Sequence, residues 1–331
     1  MKRLVWLSGG LLAALCIPLL LGGTDSLVRL KAFPLSLWAA MLGMILLCWC
    51  LNTARLRLLL GPCGRGLGLR RSLGTVMATE FAICATPGGS GGPLALMAVL
   101  ARNGVGAAKS SAVFATDQLA DLLFFMLALA GILLYGVFHN LGSRLEWMLA
   151  GSFGLLLAGL VLIACFARYH RPLLLASGKL MRRLGLSATR CRRWARKLLH
   201  FRDALSDTLR MPPGRLLVLM ALTCAHWTLR YSVLYLAVTG LGKDIQWAWT
   251  FLVQMVALSA GQFSLLPGGA GTAELTSAAM LAPLVGKSSA AAAILIWRTV
   301  TYYFYLIAGG PMFIWLVGRP LLLRLMRVRQ A

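Results

Sequence analysis

Apolar runs of membrane-crossing length alternate along this chain with short segments rich in arginine. An α-helix needs roughly 20 apolar residues to cross ~30 Å of hydrocarbon. Six runs meet that requirement: Leu4–Gly22, Leu35–Leu51, Ser111–Phe138, Trp147–Phe166, Leu216–Gly240 and Ala290–Val317. Two further apolar stretches, 72–101 and 248–285, are broken in the middle by Pro and Gly. The pattern predicts an all-α polytopic membrane protein. Met1-Lys2-Arg3 ahead of Leu4–Gly22 has the look of a signal peptide, but the run is long for that role and is read as a retained first span.

Composition supports this class, since 59% of the 331 residues are hydrophobic and only 13% are charged. Lys+Arg number 33 against 9 Asp+Glu, a net charge of +24 that would also suit a nucleic-acid binder. The placement of the charges decides against that partner. Basic residues cluster between spans: five in 52–71 (Arg55, Arg57, Arg65, Arg70, Arg71), thirteen in 168–215 and four in the tail after 317. By the positive-inside rule these segments, with Lys2 and Arg3, face the cytoplasm, giving an N-in/C-in topology. The poorly charged segments 23–34, 139–146, 241–247 and 286–289 face outward.

This orientation constrains the two broken stretches. Segment 72–101 must enter and leave on the inner side, and its limbs, 72–86 and 93–101, reach only ~23 and ~14 Å as helices. A re-entrant hairpin follows. The same reasoning makes 248–285 a hairpin entering from outside.

The hairpins share a motif. Pro87-Gly88-Gly89-Ser90-Gly91 recurs as Pro267-Gly268-Gly269-Ala270-Gly271, and Lys-Ser-Ser-Ala follows each Pro 22 and 20 residues later, from Lys109 and Lys287. The order span, span, hairpin, span thus repeats with opposite orientation, an inverted repeat. Residues 1–167 hold the first repeat plus the opening span of the second, at 147–167. Residues 168–215 form a basic cytoplasmic loop, 216–317 the rest of the second repeat, and 318–331 a basic tail. Many secondary transporters share this plan, with a midplane site where discontinuous helices meet.

Candidate chemistry concentrates at the hairpin tips and at charges within apolar segments. The glycines permit irregular backbone and let a ligand approach it, and the half-helices starting near Pro93 and Thr272 offer amide-rich N-termini to an anion. Pro87, Gly88, Gly89, Ser90, Gly91, Pro267, Gly268, Gly269, Gly271 and Thr272 are therefore candidate substrate contacts. Glu80, Asp117, Asp121, His226, Arg230, Glu274 and Arg298 lie in apolar segments, where charge must face the interior and pair. Arg230 and Arg298 read either as a phosphate clamp or as structural ion pairs with acids of the other half. Glu80 and Glu274 read as proton-coupling groups or contacts for a cationic head group, and Asp117 and Asp121 share one helix face. His226 reads as a hydrogen-bonded core residue or a proton relay. Of the eight cysteines, six fall in apolar segments and two in basic loops, and no histidine pair completes a metal site. Neither disulfide, metal nor cofactor is expected.

The segment Leu265-Leu266-Pro267-Gly268-Gly269-Ala270-Gly271-Thr272-Ala273-Glu274, with Arg298 downstream, resembles the signature of the lysylphosphatidylglycerol synthase transmembrane region, or flippase-like domain. Thr86–Gly92 with Arg102-Asn103-Gly104 is similar to that family's first Gly-rich segment. The resemblance spans nearly the whole chain. It implies lipid translocation, as in the flippase half of the multiple peptide resistance factor, with Pro267, Gly268, Gly269, Gly271, Glu274 and Arg298 on motif positions. Relatives act in hopanoid export and polyprenol-linked glycan pathways. No aminoacyltransferase domain accompanies the membrane region, so the chain is not expected to make lysyl-lipid itself. It also contains no Gly-x4-Gly-Lys-Ser/Thr loop, so the expected activity is a flippase without ATP hydrolysis, in the bacterial cytoplasmic membrane. Competing readings are a membrane-embedded lipid-modifying enzyme and an accessory subunit of a lipid or glycan biosynthesis complex. Expected partners are the lipid substrate, the anionic inner leaflet through 168–215, and a second copy or a biosynthetic enzyme.

Overall fold

A computed structural model describes residues 2–64, 66–139, 150–154, 156–161 and 210–318, with isolated positions elsewhere between 140 and 209. Among the described residues every element is helical. The basic loop 168–215 and the tail 318–331 fall largely outside them, and the expected span Trp147–Phe166 is described only in part, over the short apolar helix Ala150–Val161. Among the described residues four helices are long and apolar enough to cross a membrane: Leu35–Gly64, Ala107–Tyr135, Pro213–Gly240 and Lys287–Gly318. Together with their composition they make this a multi-pass membrane protein.

The elements are α1 (Lys2–Ala32), α2 (Leu35–Leu60), α3 (Leu69–Cys84), α4 (Gly91–Arg102), α5 (Ala107–His139), α6 (Pro213–Gly240), α7 (Trp247–Gln262), α8 (Thr272–Val285) and α9 (Lys287–Gly318). The last contains two π-helical turns, Thr299–Tyr303 and Ile314–Gly318. The broken stretches of the sequence are two pairs of short helices, α3–α4 and α7–α8, each joined by a turn around Pro-Gly-Gly.

Two expectations are corrected. Segment 23–34 is not a loop, because helix resumes after Gly23, whose φ of 61° kinks α1, and continues to Ala32. Segment 52–71 is likewise mostly helical. Its arginines do not stop α2, which runs on to Leu60 and ends at Gly61 (φ 53°), where a left-handed residue is needed. Arg55, expected in a basic loop, is in consequence buried on that helix, only 2% exposed.

Helix contacts divide the chain into two compact units. Met1–Arg57, Gly61–Gly104 and Cys224–Ala331 form the first, and Leu58–Leu60 with Val105–Thr223 the second. The first draws helices from both halves of the sequence repeat. At its centre Ala290–Arg298 of α9 is buried without interruption.

Small residues allow the helices of this unit to approach closely, as in membrane bundles generally. A Cβ on Gly22 of α1 would lie 2.4 Å from Ala291 of α9, and one on Gly309 of α9 would lie 2.6 Å from the Met77 carbonyl of α3. Gly309→Ala should therefore lower stability by about 1–3 kcal/mol through overpacking. Gly131→Ala, at an open site on α5, should leave it unchanged or slightly raised. Thermal unfolding of the detergent-solubilised variants checks the contrast.

Candidate functional site

The turn between α7 and α8 folds back on its own helix start. Glu274, three residues into α8, accepts the Gly271 N–H at 2.7 Å. A side chain thereby takes one of the amides that an external anion would otherwise use. The other carboxylate oxygen accepts from Arg298 Nε of α9, and both residues are buried. Arg298 Nη2 donates to the Gly268 carbonyl at 3.1 Å, and its guanidinium lies 4.6 Å from the Tyr302 ring centroid.

Every carbonyl of this turn has a side-chain donor. Pro267 accepts from the Tyr302 hydroxyl at 3.2 Å, Gly268 from Arg298, Gly269 from Thr272 at 3.3 Å and Ala270 from Ser264 at 3.1 Å. Non-helical backbone away from water is tolerable only when its polar groups are satisfied in this way. Gly268 has to be glycine on two counts. Its φ is 62°, and a Cβ would sit 2.1 Å from Tyr302 Cε2.

The first turn, between α3 and α4, lacks this anchor. Leu94 stands where Glu274 stands in the second motif, and it is 65% exposed. Here Thr86 does the capping: its hydroxyl oxygen accepts the Gly91 N–H at 2.8 Å, while Ser90 Oγ donates to the Pro87 carbonyl at 3.0 Å. Pro87 and Ser90 are exposed. The two turns meet, since Gly268 N–H donates to the Thr86 carbonyl at 3.4 Å and a Cβ on Gly88 would come within 3.0 Å of the Gln262 carbonyl.

A second buried cluster joins α2, α3, α6 and α9. Arg230 Nη1 lies 3.5 Å from Glu80 Oε2 and donates to the Tyr305 hydroxyl at 3.1 Å. Its guanidinium stands 4.9 Å from the Tyr305 ring centroid and 5.7 Å from that of Trp227. Asn52 donates to Glu80 Oε1 at 3.4 Å and accepts from Arg55 Nη1 at 3.1 Å, so Arg55, Asn52, Glu80, Arg230 and Tyr305 form one network. Trp49 stacks on Phe304 at 5.3 Å and leans on Tyr305 at 5.4 Å. His226, one turn before Arg230, is 2% exposed and its Nδ1 has no hydrogen-bond partner.

The arginines differ in how far they are used. Arg298 is 3% exposed in its side chain, with Nε and Nη2 both engaged. Arg230 is 16% exposed and bonds Glu80 and Tyr305 through Nη1.

The architecture belongs to a known group. The family model for the lysylphosphatidylglycerol synthase TM region matches residues 6–309. The chain belongs to that family. A UPF0104 membrane protein of Archaeoglobus fulgidus (strain ATCC 49558 / DSM 4304 / JCM 9628 / NBRC 100126 / VC-16) is 24% identical over 276 residues, covering 79% of this chain and 81% of the relative. In this member of the lysylphosphatidylglycerol synthase TM region family, the predicted tip residues and Glu274, Arg298, Arg230, Glu80 and His226 all fall in the first compact unit. Asp117 and Asp121 lie one turn apart on α5, in the second.

The ion pairs divide in a way the sequence left open. Arg230 pairs with an acid of the other half, Glu80, whereas Arg298 pairs within its own half, with Glu274. Sequence reasoning missed Trp49, Asn52, Arg55 and Tyr305 as members of the cluster. One signal was available for the tyrosines: Tyr302 and Tyr305 stand four and seven positions after Arg298, on the same helix face.

Removing one member of a buried ion pair leaves the other uncompensated, at a cost of about 3–5 kcal/mol. Arg298→Met and Glu274→Met should each destabilise the protein by that order. The double variant should recover a substantial part of the loss, as a double-mutant cycle of thermal or denaturant unfolding would measure.

Proposed function

We propose that this protein is a lipid translocase that moves an anionic or lipid-linked phosphate head group between leaflets without ATP hydrolysis. The observation that carries the reading is the contrast between the two arginines. Arg298, 3% exposed, is consumed in holding the second turn, while Arg230, 16% exposed, sits in the network that joins the two halves. A phosphate oxyanion matches the planar fork of such a guanidinium. The head group travels past the seam where the two Gly-rich turns meet, and the acyl or prenyl tail stays in lipid.

In this reading the helix pairs α3–α4 and α7–α8 are re-entrant hairpins entering from the inner and outer faces. The repeats are inverted, with both termini in the cytoplasm and the 168–215 segment resting on the anionic inner leaflet of a bacterial cytoplasmic membrane. Support comes from the repeated Pro-Gly-Gly turn, the shortness of its flanking helices, the distribution of Arg and Lys, and membership of a family named for lipid synthesis.

Purified protein in liposomes carrying fluorescent phosphatidylglycerol, lysyl-phosphatidylglycerol or a polyprenyl phosphate should render inner-leaflet probe accessible to dithionite in a head-group-dependent manner. Arg230→Lys, which keeps a charge opposite Glu80 but loses the planar fork, should slow this about tenfold or more in protein that remains folded. Head-group-independent movement, or none from folded protein, would defeat the translocase reading. Chemical change in the recovered lipid would replace it with an enzymatic one. A cysteine-accessibility scan should label Lys243→Cys and Lys287→Cys from outside only, and inner-side labelling would sink the inverted repeat.

A further inference from the structure

The two halves of α9 belong to different neighbours. Lys287–Arg298 packs on α1 and α8: Gly22 of α1 meets Ala291 so closely that a Cβ there would collide with it, and Arg298 pairs with Glu274 at the start of α8. Phe304–Gly318 packs on α3 and α4. Gly309 lies against the Met77 carbonyl, the Phe81 and Phe313 ring centroids are 5.0 Å apart, and Arg102 at the end of α4 donates to the Leu316 carbonyl. Each half of α9 thus carries one of the two Pro-Gly-Gly hairpins. α6 goes with the second hairpin, because Gln254 of α7 donates to the Tyr231 carbonyl at 2.6 Å and Trp247 Nε1 to Ser232 Oγ at 3.1 Å. α2 runs alongside both bodies, with Trp49 stacked on Phe304 and Leu37 against Gly240 of α6.

Between the halves of α9 lies the turn Thr299–Tyr303. Its ladder is widened to the π-helical form, and two hydroxyls reach back into the helix around it. Thr299 Oγ1 donates to the Leu295 carbonyl at 2.8 Å, and Thr301 Oγ1 to the Trp297 carbonyl at 2.7 Å. Both features favour bending, since the carbonyls share their amide partners with side chains or shift them by a residue. Across the two bodies, Gly268 N–H meets the Thr86 carbonyl at 3.4 Å, and Arg230 Nη1 meets Glu80 at 3.5 Å and the Tyr305 hydroxyl at 3.1 Å. The Arg230–Glu80 pair is the looser of the two buried ion pairs: its side chains are 16% and 11% exposed, against 3% and 0% for Arg298–Glu274.

We infer that Thr299–Tyr303 is a joint about which the α3–α4 and α7–α8 hairpins swing relative to one another, with the Arg230–Glu80 pair as its clasp. A bend of about 20° at a π-turn displaces the far end of a ~15 Å arm such as Phe304–Phe313 by about 5 Å. The seam between the two turns opens as the clasp parts. The joint rests on packing and does not depend on what the protein carries.

Double electron–electron resonance on the full chain in lipid nanodiscs tests this, with spin labels on genetically encoded ketone residues so that the eight native cysteines stay in place. Exposed Leu94 on α4 and Leu275 on α8 report across the joint. Exposed Leu20 on α1 with Leu275 reports within one body, and Leu94 with Ile307 of α9 within the other. The Leu94–Leu275 pair should show two components up to about 5 Å apart, and each within-body pair a single one. Glu80→Gln, which unclasps Arg230, should enlarge the minor Leu94–Leu275 component about three- to fivefold. Tyr305→Phe should act in the same direction, and serves if Glu80→Gln folds poorly. Thr299→Val with Thr301→Val, which returns the carbonyls to the backbone ladder, should suppress that component. A single narrow Leu94–Leu275 distance in the parent and both clasp variants would overturn the joint. So would equal broadening within the bodies, which is general loosening, or opening undiminished in the threonine variant, which puts the pivot elsewhere. Distances that switch in protein that moves no lipid would uphold the joint and count against the translocase.

Discussion

A guanidinium buried against a carboxylate at the start of α8 holds the rest of the central unit in place. Arg298 and Glu274 neutralise one another where neither charge alone is tolerable, and each uses its remaining capacity on backbone. Glu274 closes the N-terminus of α8, and Arg298 binds a carbonyl of the turn before it. The irregular turn is thus tied at both ends to α9, whose stretch Ser289–Arg298 is buried throughout. Glycine is required there because the ring of Tyr302 fills the space a side chain would take.

The first turn depends on the second. It carries no acid and no arginine of its own, and it is capped by Thr86 and Ser90 alone. Its carbonyl at Thr86 receives the Gly268 N–H, so the anchored turn lends order to the unanchored one. Two similar motifs therefore do different work. One is a fixed point, and the other, with Pro87 and Ser90 exposed, is the freer partner.

The π-helical turn Thr299–Tyr303 lies between the two polar clusters. It follows Arg298 directly and contains Tyr302, while Tyr305 follows within one further turn and bonds Arg230. One stretch of α9 thus serves the anchored turn and the inter-half network together. A widened turn at such a place is a common feature of functional helices.

Much of this was written in the chain. The apolar runs set the class because a bilayer accepts only satisfied backbone, and a helix of that length and composition satisfies its own. The Pro-Gly-Gly turns, the repeat and the need of Glu80, Glu274, Arg230 and Arg298 for partners were legible for the same reason, since intramembrane charge cannot stand alone. Which acid each arginine takes was not legible, because helix periodicity gives the face of a residue but not the neighbour across from it. Arg55 shows the limit most clearly. Read as one of several loop arginines, it is instead buried on α2 beside Asn52, because a helix continues past a charged residue until a glycine ends it. Trp49 and Tyr305 joined the charged cluster only when α2 and α9 were packed together, for helix periodicity does not say what lies opposite a side chain in space.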